Sequence, residues 1–477
     1  MLPASRQFEA ALGIVKRLRS EGYEAYLAGG CVRDLLLGRE PLDYDVATSA
    51  TPDVVLEMFP RTFAVGAHFG VVLVANCDAA EALQRGSSEG SKGEKPTEVA
   101  TFRSDLAYSD GRHPDGVRYT QSAEEDVQRR DFTINGLLLD PLRGSSAWEE
   151  CFGDPGLLRS KVLDFVGGLA DLDAGIVRAI GRAIGRAEAR FEEDHLRMLR
   201  AVRFAARFGF ALEADTKRAI RALAARIHAV SRERIRDELT KMLTEGRARR
   251  AFELLDETGL LAEVLPEVAR MHGVEQPPQF HPEGDVWIHT LMLLEQLGAG
   301  CTATLAWGAL LHDVGKPPTF KRAPDRIRFD GHVEVGVAMG AEICRRFRFS
   351  NEETRQVLAL IENHMRFADA PRMKESTLKR FFRLECFDEH LALHRMDCMA
   401  AHGNLDIYEL VRERRAAMPD ETVRPKPLVT GRDLIAAGYN PGPAFKEMLR
   451  AMEDAQLEGA IATPEEALAL VQQRFGK

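Results

Sequence analysis

Asp43 and Asp45 lie near the end of the segment LAGGCVRDLLLGREPLDYDVATS, which begins with a glycine pair, Gly29 and Gly30. Its pattern predicts a strand, a glycine turn, a short helix and a second strand. Side chains two residues apart on a strand project from the same face, so we expect the two carboxylates to lie together. The segment therefore favours a mixed helix-and-strand domain with an acidic site at a strand.

This combination of residues indicates a particular chemistry. Paired carboxylates bind hard divalent cations, and Mg²⁺ combines a few carboxylates with the phosphate oxygens of a substrate. A glycine pair lets the backbone approach a ligand, and the N–H groups at the start of the next helix favour phosphate. Two aspartates in a polar turn are more often solvated loop residues, and a glycine pair alone is a weak signal. Their occurrence together in one short segment favours nucleotidyl transfer.

Size and composition limit the class of protein. A chain of 477 residues exceeds a single core and predicts roughly three or four domains. Hydrophobic residues make up 45% and charged residues 29%, as in globular proteins. No apolar run approaches the roughly 18 residues of a membrane span, and the N-terminus lacks a signal-peptide pattern. The seven cysteines, without a CxxC pair, predict reduced thiols in a cytoplasmic protein.

Charge gives a local signal rather than a global one. The formal net charge of −9 does not indicate a nucleic-acid-binding protein, because phosphate backbones attract basic surfaces. The stretch 178–250 is nevertheless rich in arginine. We therefore expect any contact with a polyanion there.

The pattern along the chain predicts an α+β multidomain protein. A head over 1–171 alternates helices and strands, with a mixed or antiparallel sheet and a polar insertion at 82–96 whose role the sequence leaves open. An all-α neck (172–270), an all-α unit (271–415) and a helical tail (416–477) follow. Within the head we predict a helix over 5–21 and strands over 24–29, 43–48, 69–76 and 98–103.

Further motifs follow the acidic segment in a fixed order. They are TFRSDLAYSDGRHPDGVRYT, EEDVQRRDFTINGLLLD and EEDHLRMLRAVRFAARFGF. With GGCVRD and DYD, the set resembles the bacterial class II tRNA nucleotidyltransferase and poly(A) polymerase family over residues 1–270. The resemblance implies a nucleotidyltransferase (EC class 2.7.7) that adds CCA to tRNA 3′ ends without a template. Its partners are then tRNA, CTP and ATP, whereas the oligomeric state is left open.

The resemblance assigns roles in the head. Asp43 and Asp45 match the catalytic pair that binds Mg²⁺ for two-metal chemistry. Glu98 is a candidate third carboxylate, although a glutamate at a strand end is usually a surface residue. Two sets match phosphate and sugar contacts, namely Gly29, Gly30 and Arg33 in GGxVRD, and Arg129, Arg130 and Asp131 in RRDFTxN. An arginine pair in a core segment needs an anionic partner, which a triphosphate supplies.

The third motif is predicted to read the base. Asp194 and Arg197 lie three apart in EDHLRMLRAVRF, and on one helix they would share a side with Arg200 and Arg203. Aspartate accepts from an exocyclic amine and arginine donates to a ring acceptor, so one pair suits both cytosine and adenine. The resemblance implies this role, with Arg200 and Arg203 facing phosphates. The alternative is a solvated helix with intrahelical ion pairs.

Local features bear on the type of family member. VGAHFGVVLV follows the pattern of CCA-adding members rather than polymerases, and SDLAYSDGRHPDGV resembles the loop that switches from cytidine to adenosine. AIGRAIGRAEARF is longer than the usual join before the EDxxR motif. An A-adding enzyme and a poly(A) polymerase remain the alternatives. A third is an RNA-repair phosphohydrolase with a tRNA-binding head.

A second cluster lies between residues 281 and 397. His289, the pair His312-Asp313 in ALLHDVGKP, and Asp397 resemble the ligands of an HD-type metal phosphohydrolase domain. Imidazole and carboxylate together suit a transition metal such as Mn²⁺, Ni²⁺ or Co²⁺. Three further candidates are Lys316, which can neutralise phosphate, and His332 and His364, each of which alone is more often a surface or core histidine. Whether this site hydrolyses a 2′,3′-cyclic phosphate or a phosphomonoester, or is only structural, stays open.

Overall fold

The computed structural model describes residues 5–63, 70–75, 95–105, 116–144, 154–181, 187–278, 284–324 and 326–476. The chain forms two compact units. Unit 1 comprises residues 1–242 and 250–264, and unit 2 comprises residues 243–249 and 265–477. Among the described residues, no helix has the length and apolar character needed to cross a bilayer.

Unit 1 contains the predicted mixture of strands and helices. Its strands are β1 (Ala25–Ala28), β2 (Asp45–Thr48), β3 (Thr62–Phe63), β4 (Val71–Val74), β5 (Thr97–Thr101), β6 (Arg103–Asp105), β7 (Val117–Tyr119), β8 (Leu137–Leu139), β9 (Val162–Asp164), β10 (Ile176–Val177) and β11 (Ala211–Leu212). Its helices are α1 (Arg6–Ser20), α2 (Gly30–Leu36), α3 (Pro52–Met58), α4 (Ala123–Gln128), α5 (Pro155–Ser160), α6 (Gly168–Ala174), α7 (Ala187–Glu193), α8 (Leu196–Phe208), α9 (Ala214–Leu223), α10 (Arg232–Thr244), α11 (Ala248–Glu257) and α12 (Leu260–Val264). Short 3₁₀ helices span Thr133–Asn135 and Ala224–Ala229.

The head is built on a seven-stranded sheet in the order β3-β4-β5-β2-β1-β8-β9. Neighbouring strands are antiparallel except β2 and β5, which are parallel, so the predicted mixed sheet is confirmed. The predicted N-terminal helix is α1, whose N-cap Ser5 accepts a hydrogen bond from the Phe8 N–H. Phe8 and Leu18 on α1 are buried, which anchors the helix in the core of unit 1.

The glycine turn joins β1 to α2. Gly29 has a positive φ of 72°, and a Cβ at this position would lie 3.0 Å from an Arg130 guanidinium nitrogen. The strand predicted over 43–48 lacks its first two residues, because β2 begins at Asp45. Ala28, the last residue of β1, pairs with Asp45, so Asp43 has no strand partner and lies in the preceding loop.

The neck departs from the all-α prediction in one place. Ile176 and Val177 of β10 pair in parallel with Ala211 and Leu212 of β11, a contact too short to leave a periodic pattern in the sequence. The predicted apolar stripe of α8 is confirmed. Its buried members are Leu196, Leu199, Val202 and Phe204.

Unit 2 is mainly helical. Its helices are α13 (Pro266–Ala269), α14 (Val286–Glu295), α15 (Ala303–Leu311), α16 (Lys316–Thr319), α17 (His332–Arg346), α18 (Asn351–Asn363), α19 (Glu375–Phe381), α20 (Phe387–Ala400), α21 (Asp406–Ala416), α22 (Asp420–Val423), α23 (Gly431–Ala436), α24 (Ala444–Leu457) and α25 (Pro464–Phe475), with a 3₁₀ helix at His364–Arg372. One feature was not predicted. A hairpin pairs β12 (Lys321–Arg322) with β13 (Ile327–Arg328).

Candidate functional site

A cavity of about 640 Å³ in unit 1 collects the residues that the sequence singled out in the head. It lies at the end of β1 and the start of β2, where the glycine turn, the loop before β2 and helix α8 meet. The predicted residues that line it are Gly29, Gly30, Arg33, Asp43, Asp45, Glu98, Arg129, Arg130, Asp131, Asp194, Arg197, Arg200 and Arg203. One cavity therefore contains carboxylates and arginines side by side.

Three carboxylates form the acidic side of this cavity. Val46 of β2 pairs in parallel with Val99 of β5, so Asp45 and Glu98 occupy adjacent positions on neighbouring strands. Burial, together with the negative charges of Glu98 and Asp43, raises the pKa of Asp45 to about 7. Glu98 is exposed at the strand end, yet its charge reaches Asp45. Such crowding of negative charge favours a bound cation.

Each arginine of the phosphate-binding motifs is held by a nearby oxygen. Arg33 is 4% exposed, and its guanidinium lies 2.7 Å from the Asp34 carboxylate and also donates to the Asn135 side chain. Asp34 is the fifth residue of α2, so it lies beyond the first turn of the helix and serves as the partner of Arg33. The guanidinium is therefore fixed in the cavity wall.

Asp126 at the end of α4 holds the arginine pair. Arg129 donates to Asp126 Oδ1 at 2.7 Å and Arg130 donates to Oδ2 at 3.0 Å. Asp126 is 1% exposed, and the two guanidinium groups outweigh its burial and lower its pKa. The partly buried arginine pair thus has an anionic partner within the protein. From the sequence, only a triphosphate was expected to fill that role.

Asp131 links the RRD motif to helix α8. Its Oδ2 accepts two hydrogen bonds from Arg200, at 2.7 and 2.9 Å, and its Oδ1 accepts from the Asn135 amide. Burial opposes ionisation of Asp131, but the Arg200 guanidinium and the Asn135 amide outweigh it and lower its pKa to about 2. Asp131 therefore positions Arg200 and Asn135 in this structure.

The prediction that Asp194 and Arg197 lie on one helix is wrong. Asp194 lies between α7 and α8, outside both helices, and its carboxylate accepts the Leu196 N–H at 3.0 Å. Its other contact is an ion pair with Arg234 of α10 at 2.9 Å. The helical periodicity of the sequence continues through Asp194. Its side chain, however, accepts the N–H of Leu196, and α8 begins at Leu196. Asp194 and Arg197 still line the same cavity.

Arg197 is oriented by a network that the sequence did not predict. Glu193 Oε2 accepts from Arg197 at 2.7 Å and from Arg190 at 2.8 Å. Arg190 is 1% exposed and also donates to the carbonyls of Gln128, Arg129 and Ile180. Arg197 itself donates to the Arg129 carbonyl at 3.3 Å. The arginine beside Asp194 and the backbone of the RRD motif are therefore joined through shared hydrogen bonds.

Arg203 lies deeper than predicted. It is 6% exposed, and its Nε donates to Glu238 of α10 at 2.7 Å, so its main partner is a buried carboxylate. Its guanidinium also lies 4.4 Å from the centre of the Phe204 ring. The helical pattern gave no sign of Glu238, which is 35 residues away in sequence.

Unit 2 contains a second cluster, built on three helices. His289 lies on α14, His312 and Asp313 follow α15, and Asp397 lies on α20. His289 Nε2 is 3.1 Å from Asp397 Oδ1 and 3.4 Å from His312 Nε2, and His312 Nε2 is 3.2 Å from Asp313 Oδ2. Burial favours the neutral form of Asp397, but the His289 hydrogen bond holds the pKa of that carboxyl well below its usual range.

His332 and His364 face the other oxygen of Asp313. Their Nε2 atoms lie 4.0 and 3.7 Å from Asp313 Oδ1, and these three atoms are buried without a hydrogen-bond partner among the described residues. The Nδ1 atoms of His332 and His364 contact the carbonyls of Phe329 and Ile361, which directs Nε2 into the cluster. Burial lowers the pKa of His364 to about 4, so it is neutral at physiological pH. Neutral imidazoles arranged in this way suit a metal.

Lys316 is the cationic member of the cluster. Its ammonium lies 2.6 Å from Asp313 Oδ2 and 2.6 Å from the side-chain oxygen of Gln276. Burial opposes the charge of Asp313, but Lys316 and His312 outweigh it and hold the pKa of that carboxyl well below its usual range. The cluster therefore combines two carboxylates, four imidazoles and one ammonium, which fits a metal ion with an anionic ligand.

Known families match three parts of the chain. The family "Poly A polymerase head domain" matches residues 25–178, "Probable RNA and SrmB-binding site of polymerase A" matches 209–271, and "HD domain" matches 281–397. A CCA-adding enzyme of Geobacillus kaustophilus is 32% identical over 97% of this chain and 95% of its own length. The chain belongs to the bacterial tRNA nucleotidyltransferase and poly(A) polymerase family, with an HD domain. Members are nucleotidyltransferases that need a divalent metal.

Other relatives of this tRNA nucleotidyltransferase family member include both CCA-adding and A-adding enzymes. A CCA-adding enzyme of Geobacillus thermodenitrificans is 41% identical, but the chain spans only 55% of the length of that relative. An A-adding tRNA nucleotidyltransferase of Deinococcus radiodurans is 32% identical over 94% of this chain and 95% of its own length. The crystal structure of the Bacillus stearothermophilus CCA-adding enzyme in complex with CTP matches with a TM-score of 0.68 and 28% identity, over 98% of both chains.

Some sequence predictions fall outside the described residues of this family member. They are the insertion at 82–96 up to residue 94, residues 65–69 of VGAHFGVVLV, residues 106–115 of the proposed switching loop, and residues 182–186 of the extended join.

Several residues were missed by the sequence analysis. Asp126 had a signal, because an acid three and four residues before two arginines marks a helical ion pair. Asn135 belongs to the quoted RRDFTxN motif. Arg190 and Glu193 had a signal of the same kind, since they lie three residues apart. Arg234, Glu238 and Gln276 carried no signal, because their partners are distant in sequence.

Proposed function

We propose that this protein adds C, C and A to the 3′ ends of tRNA from CTP and ATP without a nucleic-acid template. One observation carries the proposal: a single cavity in unit 1 contains Asp43, Asp45 and Glu98 beside the arginines of three motifs and beside Asp194. The CCA-adding relative that aligns over nearly the whole chain supports it.

The acidic side of the cavity would carry the metal chemistry. Asp43 and Asp45, with Glu98 close by, would hold Mg²⁺, which supplies activation of the 3′-hydroxyl and stabilisation of the leaving pyrophosphate. The carboxylates are oxygen ligands, as Mg²⁺ requires. Burial and the negative charges of Glu98 and Asp43 raise the pKa of Asp45, and a cation would relieve both effects.

The arginines and the glycine turn would position the triphosphate. Gly29 and Gly30 allow the backbone at the start of α2 to approach phosphate oxygens. Arg33 is held by Asp34 and Asn135, and Arg130 is held by Asp126, so both cations are fixed before a substrate arrives. Arg129, Asp131, Arg200 and Arg203 complete the proposed set.

Asp194 and Arg197 would select the base. A carboxylate has about four acceptor positions, so Asp194 can accept the amine of cytosine or adenine while it contacts Leu196 and Arg234. Arg197 is held by Glu193 and the Arg129 carbonyl, which leaves the guanidinium donors in a defined direction. On the Watson–Crick edge uracil has no amine, and the guanine amine lies beside the N1–H donor rather than an acceptor, so both bases would be rejected.

The test uses three tRNA substrates that end at the discriminator base, at C and at CC. The purified protein receives labelled CTP and ATP separately and together. The proposal predicts two cytidines and one adenosine added to the first substrate. Addition of adenosine to the CC end alone would favour an A-adding enzyme like the Deinococcus relative, and long adenosine tails would favour a polymerase.

We also propose that the cluster in unit 2 is a metal-dependent phosphohydrolase centre. His289, His312, Asp313 and Asp397 would hold one transition-metal ion such as Mn²⁺, Ni²⁺ or Co²⁺. A second grouping of potential ligands, which shares Asp313, lies alongside. When bound, the metal would supply an activated water for attack on a phosphate ester. The test is hydrolysis of 2′,3′-cyclic AMP and p-nitrophenyl phosphate by the manganese-loaded protein, and its absence would refute this activity.

We propose the predicted domain division as well, with a head over 1–171, a neck over 172–270, an HD domain over 271–415 and a tail over 416–477. The described cysteines support the proposed cytoplasmic location, because they are free thiols. They are Cys31, Cys301, Cys344, Cys386 and Cys398.

A further inference from the structure

Gln276 is a buried amide at the metal cluster of unit 2 that the motifs do not explain. It is 1% exposed and follows Glu275, which pairs with Asp285 in an isolated β-bridge. Its own backbone N–H donates to the Gly284 carbonyl at 2.8 Å. The backbone is therefore fixed, and the side chain extends to Lys316, which contacts Asp313.

The orientation of the Gln276 amide follows from its partner. Lys316 has three donors and no acceptor, so the atom 2.6 Å from its ammonium must be the amide oxygen. The amide nitrogen then points elsewhere, and it is buried without a hydrogen-bond partner among the described residues. A buried amide N–H without an acceptor has lost its hydrogen bond to water without replacement, so a position like this normally serves a ligand or water.

The charges around Gln276 indicate which ligand it would take. The side-chain atoms left without partners in the cluster are of two kinds: Asp313 Oδ1 and the Nε2 atoms of His332 and His364 can bind a cation, whereas the Gln276 N–H can only donate. Lys316 lies between this donor and the Asp313 carboxylate. A donor next to an ammonium beside a metal site suits an anionic oxygen.

We propose that the Gln276 N–H donates to a phosphate oxygen bound at the metal cluster, so that Gln276 and Lys316 together form the phosphate subsite of unit 2. This inference rests on the proposed phosphohydrolase centre and adds the residue that holds the phosphoryl group. Gln276 also orients Lys316 through its oxygen, and the two roles are separable by substitution.

The substitutions divide the donor from the acceptor. Gln276→Glu keeps an oxygen for Lys316 but removes the N–H and adds a negative charge. Gln276→Met has similar volume and removes both functions. The matched control is Glu275→Gln, the adjacent residue, whose carboxylate is exposed and pairs with Arg322 at the surface.

Inorganic phosphate is titrated calorimetrically into the manganese-loaded full-length protein. The phosphate binding that is present in the wild type and absent from His312→Ala is the share that belongs to unit 2. A hydrogen bond to a charged group contributes about 1.5–3 kcal/mol, so both Gln276 variants are expected to weaken that share roughly ten- to hundred-fold. Manganese content and nucleotide addition stay at wild-type levels, as they do in Glu275→Gln. The KM for p-nitrophenyl phosphate rises in parallel.

Three results would overturn the inference. Phosphate binding by Gln276→Glu at the wild-type level would limit Gln276 to orienting Lys316. Phosphate binding that His312→Ala leaves unchanged would place no phosphate at this cluster. Loss of manganese from the Gln276 variants would show an effect on the metal ligands instead. A wild type that binds phosphate here but hydrolyses neither ester refutes the phosphohydrolase and leaves the subsite standing.

Discussion

The two proposed metal sites solve opposite electrostatic problems. In unit 1, Asp43, Asp45 and Glu98 crowd negative charge on one side of a cavity, and burial and this crowding raise the pKa of Asp45 to about 7. In unit 2, the Asp313 and Asp397 carboxylates are surrounded by imidazoles and an ammonium, which hold their pKa values well below the usual range. The carboxylates of unit 1 therefore carry an excess of negative charge on their side of the cavity, whereas those of unit 2 have cationic and imidazole partners in direct contact.

This difference indicates which metal ion each site suits. Oxygen-only carboxylates match Mg²⁺, which keeps several positions for water and substrate phosphates. Imidazole and carboxylate together match transition metals that stay with the protein. The arginines of unit 1 pair with carboxylates other than Asp43, Asp45 and Glu98. These three carboxylates therefore remain available to a cation. The comparison therefore predicts two independent chemistries in one chain.

The largest expected effect comes from removing one metal ligand at a time. Asp45→Ala should lower nucleotide addition to tRNA by roughly a thousand-fold, because metal-assisted stabilisation contributes several kcal/mol and about 1.4 kcal/mol is a factor of ten. Hydrolysis of p-nitrophenyl phosphate by the same preparation should be unchanged. His312→Ala should show the reverse. Loss of both activities in either variant would contradict the separation of the two sites.

The next effect concerns the buried charges of unit 1. Glu238→Gln removes the partner of Arg203, whose side chain is 7% exposed, and loss of one member of a buried pair should cost about 3 kcal/mol. Hydrogen exchange of peptides from α8 and α10 reports the local stability. The control is Asp215→Asn, which breaks the exposed pair with Arg218 and should cost less than about 1 kcal/mol. Equal effects in the two variants would remove the distinction between buried and exposed pairs.

Arg190→Lys tests whether base selection depends on the network behind Arg197. Lysine cannot replace the planar fork that donates to Glu193 and to three carbonyls. With one charged hydrogen bond contributing about 1.5 kcal/mol, the preference for CTP over UTP in kcat/KM should fall about tenfold. A stability defect alone would lower both rates equally, so an unchanged ratio argues against a positioning role. Arg218→Lys, at the surface, serves as the control.

The smallest effect is a pH dependence of Asp131. Its folded-state pKa of about 2 lies below the ordinary value, so its contribution to stability is present above about pH 4 and is lost as the pH falls towards 2. Asp131→Asn should therefore be less stable than the wild type by about 1.5 kcal/mol at pH 7, and the gap should close in acid. Hydrogen exchange of α8 peptides, compared at matched pH, measures it. A gap that is constant from pH 7 to pH 2 would contradict the assigned ionisation.

The sequence predicted the parts of the site that depend on local order. The order of motifs along the chain identified Asp45, Arg130 and the His312-Asp313 pair. The sequence also predicted one strand for Asp43 and Asp45, although Asp43 lies in the loop before β2. It failed where a side chain changes the local geometry. Asp194 bonds to the Leu196 N–H and so stands outside helix α8, although the periodic pattern runs through it.

The supporting residues were beyond sequence reasoning for a physical reason. Glu238 contacts Arg203 across 35 positions, and Gln276 contacts Lys316 across 40 positions. Such pairs form only when helices pack, and no periodicity connects their members. Each of these residues is polar and buried, which the sequence cannot distinguish from an exposed polar residue of the same type.

The most direct test of two different metal sites is a manganese-binding titration followed by electron paramagnetic resonance, with and without excess Mg²⁺. The account predicts two classes of bound Mn²⁺. Excess Mg²⁺ should displace the class that Asp45→Asn lacks, and should leave the class that His312→Ala lacks, because imidazole ligands disfavour Mg²⁺. Displacement of all Mn²⁺ by Mg²⁺, or loss of both classes in either variant, would contradict it.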